Sequence, residues 1–414
     1  MRNLILAAAI TLLSDPYAYG QSLKVAGFTG DPYNFITQFD GTCFTVLRND
    51  GYAVIGLDGK EMATGIKRPT SNLSRQIHLY HNTLFAQDGN NIVLKDTHGR
   101  SLGTGQYMDV LPFRTDNTVV RISTPMLVWN IAYLDTTGKE ILQFDVRKYL
   151  SLVDPPGSSD SLALITLSDF LPFSEGLTPI KSQLTGKRGY INKKMELVIP
   201  VGFKNAQPFS EGLAAVQNED GNWGFIDRTG KLVIPYTHCL PPSPFISGLA
   251  KVENTDGKVG FINKNNVLVI QPKYMYASSF YRGYTLVRER LDSPIYMVDT
   301  AGAVVATFPK EILYIDNSKP HVGLTGNIEP EYLFTISPTL QQLVEEGKGI
   351  FQKGASYGLM DNRGNVALDF NYQYLTDYHH GKMVAYFSTF TNGSTHNESG
   401  ILDDKGNWVV QIVP

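Results

Sequence analysis

The sequence predicts an all-β protein of tandem three-stranded meanders, repeating about every 35 residues. The units are read as a curved array of small sheets, with a closed propeller-like ring as the alternative. Three observations carry this prediction. An opening block recurs as "PFSEGLTPI", "PFSEGLAAV", "PFISGLAKV" and "SFYRGYTLV", with its phenylalanine at Phe173, Phe209, Phe245 and Phe280. A central block follows each time, "RGYIN", "WGFID", "VGFIN" and "IYMVD", and then a closing aliphatic block such as "LVIP" at Leu197 and Leu232. Tyr and Phe are abundant, at 22 and 21, while charged residues are only 18% of the 414-residue chain, a balance that suits strands.

In chain order, residues 1–20 read as a signal peptide. Arg2 precedes an apolar run from Leu4 to Leu13, and Ala18-Tyr19-Gly20 offers small residues where signal peptidase needs them, so cleavage is expected before Gln21. The apolar run is too short to span a bilayer, and no stable membrane insertion is expected after cleavage. A secreted or periplasmic location follows. The net charge of −3 gives no global basic field for nucleic acid.

Residues 21–150 hold degenerate units, with "YAVIGLDGKEM", "IVLKDTHGRSL" and "IAYLDTTGKEIL" keeping the strand-turn-strand outline without the central glycine. Residues 151–161, "SLVDPPGSSDS", read as a linker or surface loop. Regular units fill 162–306, and 307–345 is an insertion in which "SPTLQQLVEEGKG" holds the best short helix signal. Residues 346–414 return to the repeat with "YGLMDNRGNVALDF" and "SGILDDKGNWVVQI", giving nine units in all.

The Phe-x-x-Gly-Leu-Ala-x-Val opening, the Trp-Gly-Phe-Ile-Asp centre and the Gly-Lys-x-Val-Ile-Pro close resemble the WG repeat family of mostly bacterial tandem-repeat proteins. The resemblance is specific from Phe173 to Val287. Only Trp223-Gly224 keeps the signature tryptophan; Arg188, Val259, Ile295, Tyr357 and Ser399 replace it elsewhere. The family implies a scaffold, having no shared catalytic motif.

Within each unit the physics is explicit. Phe225 and Ile226 are neighbours on one strand and must face opposite ways, so two apolar residues there predict a strand covered on both sides. Gly224 recurs as Gly189, Gly260, Gly358 and Gly400, which predicts close approach of another backbone or ring. "DRTG" and its copies "DTTG", "DTAG", "DNRG" and "DDKG" fit turns in which Asp accepts from backbone N–H and Gly takes positive φ. A calcium site would need six or more oxygens, and each turn supplies one dependable carboxylate.

Chemistry is sparse. There is no GxSxG, Walker, GxGxxG or HExxH motif, and neither metal nor cofactor is expected. His78 and His81 diverge on a strand, and His379-His380 reads as a turn. Glu175 and Glu211 occupy identical "FSEGL" contexts one repeat apart and are read as turn residues, since an acid/base pair requires unlike environments. Cys43 and Cys239, the only cysteines, can pair in an oxidising compartment, though their composition context favours small buried hydrophobes. Tyr274, Tyr276, Tyr281 and Tyr284 are the candidate binding contacts, on a shared surface. The functional expectation is a secreted, non-catalytic scaffold for a protein, peptide or envelope glycan. The alternative is a secreted polysaccharide-active hydrolase or lyase, with its site in the N-terminal units and the 307–345 insertion.

Overall fold

A computed structural model describes residues 23–25, 36–48, 51–69, 79, 82–103, 105–111, 113, 117–122, 130–154, 167–313, 338–391 and 394–412. The signal segment, His78 and His81 lie outside the described residues, as do most of the 151–161 linker and 314–337 of the insertion.

The fifth unit shows the common plan. Strands Leu213–Gln217, Trp223–Asp227 and Leu232–His238 form an antiparallel meander, and a short strand, Asn205–Ala206, adds to its first edge. That short strand comes from the crossover leaving the previous unit, so each unit hands the chain to the next. The first two long strands are buried on both faces, as the paired apolar residues require, while the third alternates between exposed and buried. Tyr107–Val110 makes the same hand-over without a break. Tyr107 pairs with both Ile92 and Ile122, which fuses the second and third units into one six-stranded sheet.

The central glycine is explained by the third strand. Trp223 pairs with His238 and Phe225 with Ile234, so three residues, Pro235 to Thr237, bulge opposite Gly224. A Cβ on Gly224 would lie 2.6 Å from the Ile234 carbonyl oxygen. Gly189 and Gly260 meet Ile199 and Ile270 at the same 2.6 Å, and Gly358 meets Leu368 at 2.7 Å. The wide bulge is absent where the position holds Ala132 or Tyr296, whose strands pair there without a shift. Gly400 pairs in register too, yet its Cβ would fall 2.0 Å from the Val410 carbonyl oxygen.

Neighbouring sheets are glued by nine buried apolar clusters among the described residues. The recurrent Phe of each opening block packs on an aromatic of the preceding unit. The ring centroids are 4.6 Å apart for Tyr133–Phe173, 4.9 Å for Tyr190–Phe209, and 4.8 Å for Phe225–Phe245 and Phe261–Phe280. The ninth cluster joins Phe39, Phe44 and Ile55 of the first sheet to Val384, Ile401 and Val410 of the last. Leu23–Val25 pairs in parallel with Trp408–Ile412 in that same last sheet. Of the two arrangements the repeats allow, these contacts select the closed ring.

Two helices occupy the interruptions. Pro338–Glu345 lies in the expected helical stretch and buries Leu340 and Leu343 between the seventh and eighth units. Val146–Val153 is capped by Asp145, whose carboxylate accepts from the Arg147 N–H, and it buries Val146, Tyr149 and Leu150. The sequence reading placed Ser151 to Val153 in a linker; they are the end of this helix.

Candidate functional site

The repeated acidic residues are consumed by the scaffold. Asp227 Oδ1 accepts from the N–H of Thr229 at 2.9 Å, the N–H of Lys231 at 3.1 Å and the Thr229 hydroxyl at 2.6 Å. The Thr229 hydroxyl and these backbone donors hold the Asp227 carboxyl below its ordinary range. Gly230, at φ 88°, closes the turn, as the sequence predicts. Asp135, Asp299, Asp361 and Asp403 make the same pair of backbone contacts.

Glu175 and Glu211 sit in left-handed turns, at φ 52° and 51°. Each reaches across to the following unit: Glu175 accepts from the Gly212 N–H and Glu211 from the Gly248 N–H, both at 3.0 Å. Lys264 Nζ adds an ion pair to Glu211 at 3.1 Å. The two carboxylates are staples between units, and His380, at φ 50°, confirms the "HHG" turn.

The four candidate tyrosines do not share one open surface. Tyr274 is only 2% exposed and packs between the sixth and seventh units, which corrects its reading as a contact residue. Tyr276, Tyr281 and Tyr284 are half-buried, and the Tyr281 hydroxyl donates to Glu345. Strand alternation misleads here because the run breaks at a turn: Tyr281 and Tyr284 face each other across it.

The cysteines are both free. Cys43 is buried beside Asp40, and burial first, then that carboxylate, pushes its thiol up to about 12. Cys239 is exposed, against the expectation of a buried hydrophobe.

Cys239 stands where one crossover of the regular units departs from the others. The crossover into the sixth unit has one more residue than its neighbours and carries Pro241-Pro242 where the others carry Asn205–Ala206 and Tyr276–Ala277. Proline lacks the N–H that a ladder needs. The sixth sheet accordingly has three strands, Leu249–Glu253, Val259–Asn263 and Leu268–Tyr274, with no short strand on its first edge. A cleft of about 690 Å³ opens between the crossover and this sheet. Its crossover wall holds His238, Cys239 and Leu240, and its sheet wall holds Val252, Glu253 and Asn254.

The cleft mixes apolar and polar groups at a volume that suits a small ligand or peptide segment. Leu240 and Leu268, 42% and 39% exposed, supply apolar surface. His238 Nε2 is buried without a hydrogen-bond partner, and burial lowers the pKa of the ring, outweighing a side-chain hydrogen bond with Asn266 that raises it. No motif marks these residues in the sequence; the signal is the proline pair and the extra residue at a place where the period is otherwise kept.

Among the described residues, no group of three or more His, Cys, Asp or Glu is placed to hold a metal ion, and no helix is long and apolar enough to cross a membrane.

Small open sheets stacked through a repeated sequence block define a tandem-repeat β protein. The family of WG-containing repeats matches at residues 189–222, 223–258, 260–290 and 357–387, so these stretches of the chain are WG-containing repeats. These four matches coincide with the four units that carry both the glycine and the wide bulge. No functionally curated relative matches the chain. Among solved structures, BamB from Moraxella catarrhalis is similar at 11% identity over 66% of this chain and 87% of that one, with a TM-score of 0.32. An uncharacterised Listeria monocytogenes protein gives 9%, 69%, 96% and 0.36, and Kluyveromyces lactis Hsv2p gives 12%, 64%, 93% and 0.32. These likenesses are too distant to bear on function.

Proposed function

We propose that this protein is an exported, non-catalytic scaffold whose ring presents a binding cleft to a protein, peptide or envelope glycan. The observation that carries the reading is the 690 Å³ cleft at the one crossover where Pro241-Pro242 replaces a pairing strand. The recurring carboxylates support a structural role for the repeats, since turns and inter-unit hydrogen bonds occupy them. Export rests on the sequence of residues 1–20. Tyr276, Tyr281 and Tyr284 are proposed as contacts secondary to the cleft.

The test is capture from an envelope extract by the immobilised mature chain, beside a Leu240→Asp/Leu268→Asp variant. Both leucines are already solvent-facing, so the variant is expected to keep its melting temperature. A species retained by the native chain and lost by the variant supports the reading. Retention of nothing, or equal retention by both, sinks it. Mass spectrometry of the protein from its native host is expected to find Gln21 at the N-terminus; an intact Met1 end would overturn export by cleavage.

A further inference from the structure

In the fifth, seventh, eighth and ninth sheets the first edge is closed at one equivalent residue. In the fifth sheet Gln217 pairs with Asn205 and its carbonyl accepts from the Lys204 N–H at 2.9 Å. In the seventh, Arg288 pairs with Tyr276 and accepts from the Met275 N–H at 2.9 Å. Gln352 pairs with Leu313 in the eighth sheet, and Tyr386 with Tyr374 in the ninth.

The fourth sheet is the informative case, because it too has three strands. Its equivalent residue is Lys181, and the helix Val146–Val153 brings the Tyr149 hydroxyl to it. That hydroxyl accepts from the Lys181 N–H at 2.9 Å and donates to the Lys181 carbonyl. A position satisfied by strands elsewhere is thus satisfied here by one side chain, in keeping with the cost of unpaired backbone groups.

In the sixth sheet the equivalent residue is Glu253. Ser243 N–H still reaches the Lys251 carbonyl at 2.9 Å, as Gln207 N–H reaches that of Ala215, so the edge keeps its orientation. Backbone N–H and C=O of alternate residues point the same way across an antiparallel strand, which aims those of Glu253 at the open side. Among the described residues, Glu253 has no ladder partner there, and the cleft opens beside it.

We propose that this cleft binds an extended peptide segment that supplies the missing strand of the sixth sheet, antiparallel to Leu249–Glu253. The proposal rests on the binding reading above and names its partner class. A peptide amide offers the N–H and C=O pair that the Glu253 backbone lacks, at strand spacing; a run of sugar hydroxyls does not. Val252 and Leu240 receive an apolar side chain of the peptide, and the exposed Glu253 carboxylate favours a basic residue beside it. His238 Nε2 is left to hydrogen-bond with a polar group at the far wall.

The test uses the full mature chain and a blocked peptide, acetyl-Val-Lys-Val-Lys-Val-amide, with chitotetraose as the sugar arm. Calorimetric titration is expected to give one saturable peptide site with Kd below about 1 mM, and bound peptide to slow hydrogen exchange of the Glu253 amide at least about tenfold. Pro241→Asn/Pro242→Ala gives the crossover the residue pattern of Asn205–Ala206, lets it pair with Glu253 as a short strand and weakens peptide binding by about tenfold, the worth of roughly one or two backbone hydrogen bonds. Exchange at Glu253 in the free variant reports whether that self-pairing has formed. Peptide that does not saturate, or that binds without protecting the Glu253 amide, overturns the proposal. Protection by chitotetraose alone overturns the peptide class but leaves the scaffold reading standing. Loss of envelope capture by the native chain is a failure of the scaffold reading itself.

Discussion

The ring of Phe245 packs 4.8 Å from that of Phe225, one sheet behind it. Both residues are fully buried, and the cluster they centre on holds Trp223, Ile234 and Ile262 from two sheets. At four successive seams such an aromatic contact sits within the apolar cluster that ties one sheet to the next. Phe245→Ala removes most of that tie and is expected to cost about 3 to 5 kcal/mol. Urea unfolding measures it, and a loss under about 1 kcal/mol would show that the units hold together by other means.

Gly224→Ala probes the bulge. The added methyl would sit 2.6 Å from the Ile234 carbonyl oxygen, inside any tolerable contact, and that atom is backbone. The expected loss is about 1 to 3 kcal/mol, seen as a lower urea midpoint. Tyr296, which stands at this position in a unit without the wide bulge, gives the comparison: Tyr296→Gly is expected to lose only strand propensity and packing. Equal tolerance of alanine at Gly224 would refute the steric account.

Tyr149→Phe deletes the hydroxyl that serves both backbone groups of Lys181. Leaving them unpaired is expected to cost about 1 to 3 kcal/mol, with faster exchange of the Lys181 amide. Unchanged exchange would mean that water already serves that edge.

Asp377 gives a pH signature at the seam of the ring. Its carboxylate accepts from the Phe39 N–H at 3.2 Å, and burial raises its pKa above the ordinary carboxylate range, outweighing that hydrogen bond. The folded state then binds the proton more tightly than the unfolded state. Its stabilising contribution is complete below the ordinary Asp pKa and is lost as pH rises through the raised value. Asp377→Asn keeps the acceptor without the charge, so its Tm is expected to exceed the native Tm at pH 7 and converge with it as pH falls toward the ordinary Asp range. A variant less stable at pH 7 would contradict this.

Much of the architecture was legible because the repeat exposes its own constraints. Gly224 and its copies announced a close backbone approach, and the Asp-x-x-Gly turns announced their hydrogen bonds. What the period does not encode is how the last unit meets the first, since Phe39 and Val410 join one buried cluster only after every intervening angle has accumulated. Val146, Tyr149, Leu150 and Val153 carry helical spacing, but the Pro155-Pro156 pair just beyond drew the reading toward a linker. The cleft was hidden for a different reason. It opens where Pro241 and Pro242 stand in place of a short pairing strand, and an absent strand leaves no motif.

Closure also sets an order of events in time. Leu23 is among the first residues of the described chain to be made and Val410 among the last, yet they pair in one sheet. A chain synthesised or threaded across a membrane from its N-terminus cannot seal its seam until its final strand arrives. Until then the strand Leu23–Val25 waits unpaired, exposed to whatever edge reaches it first.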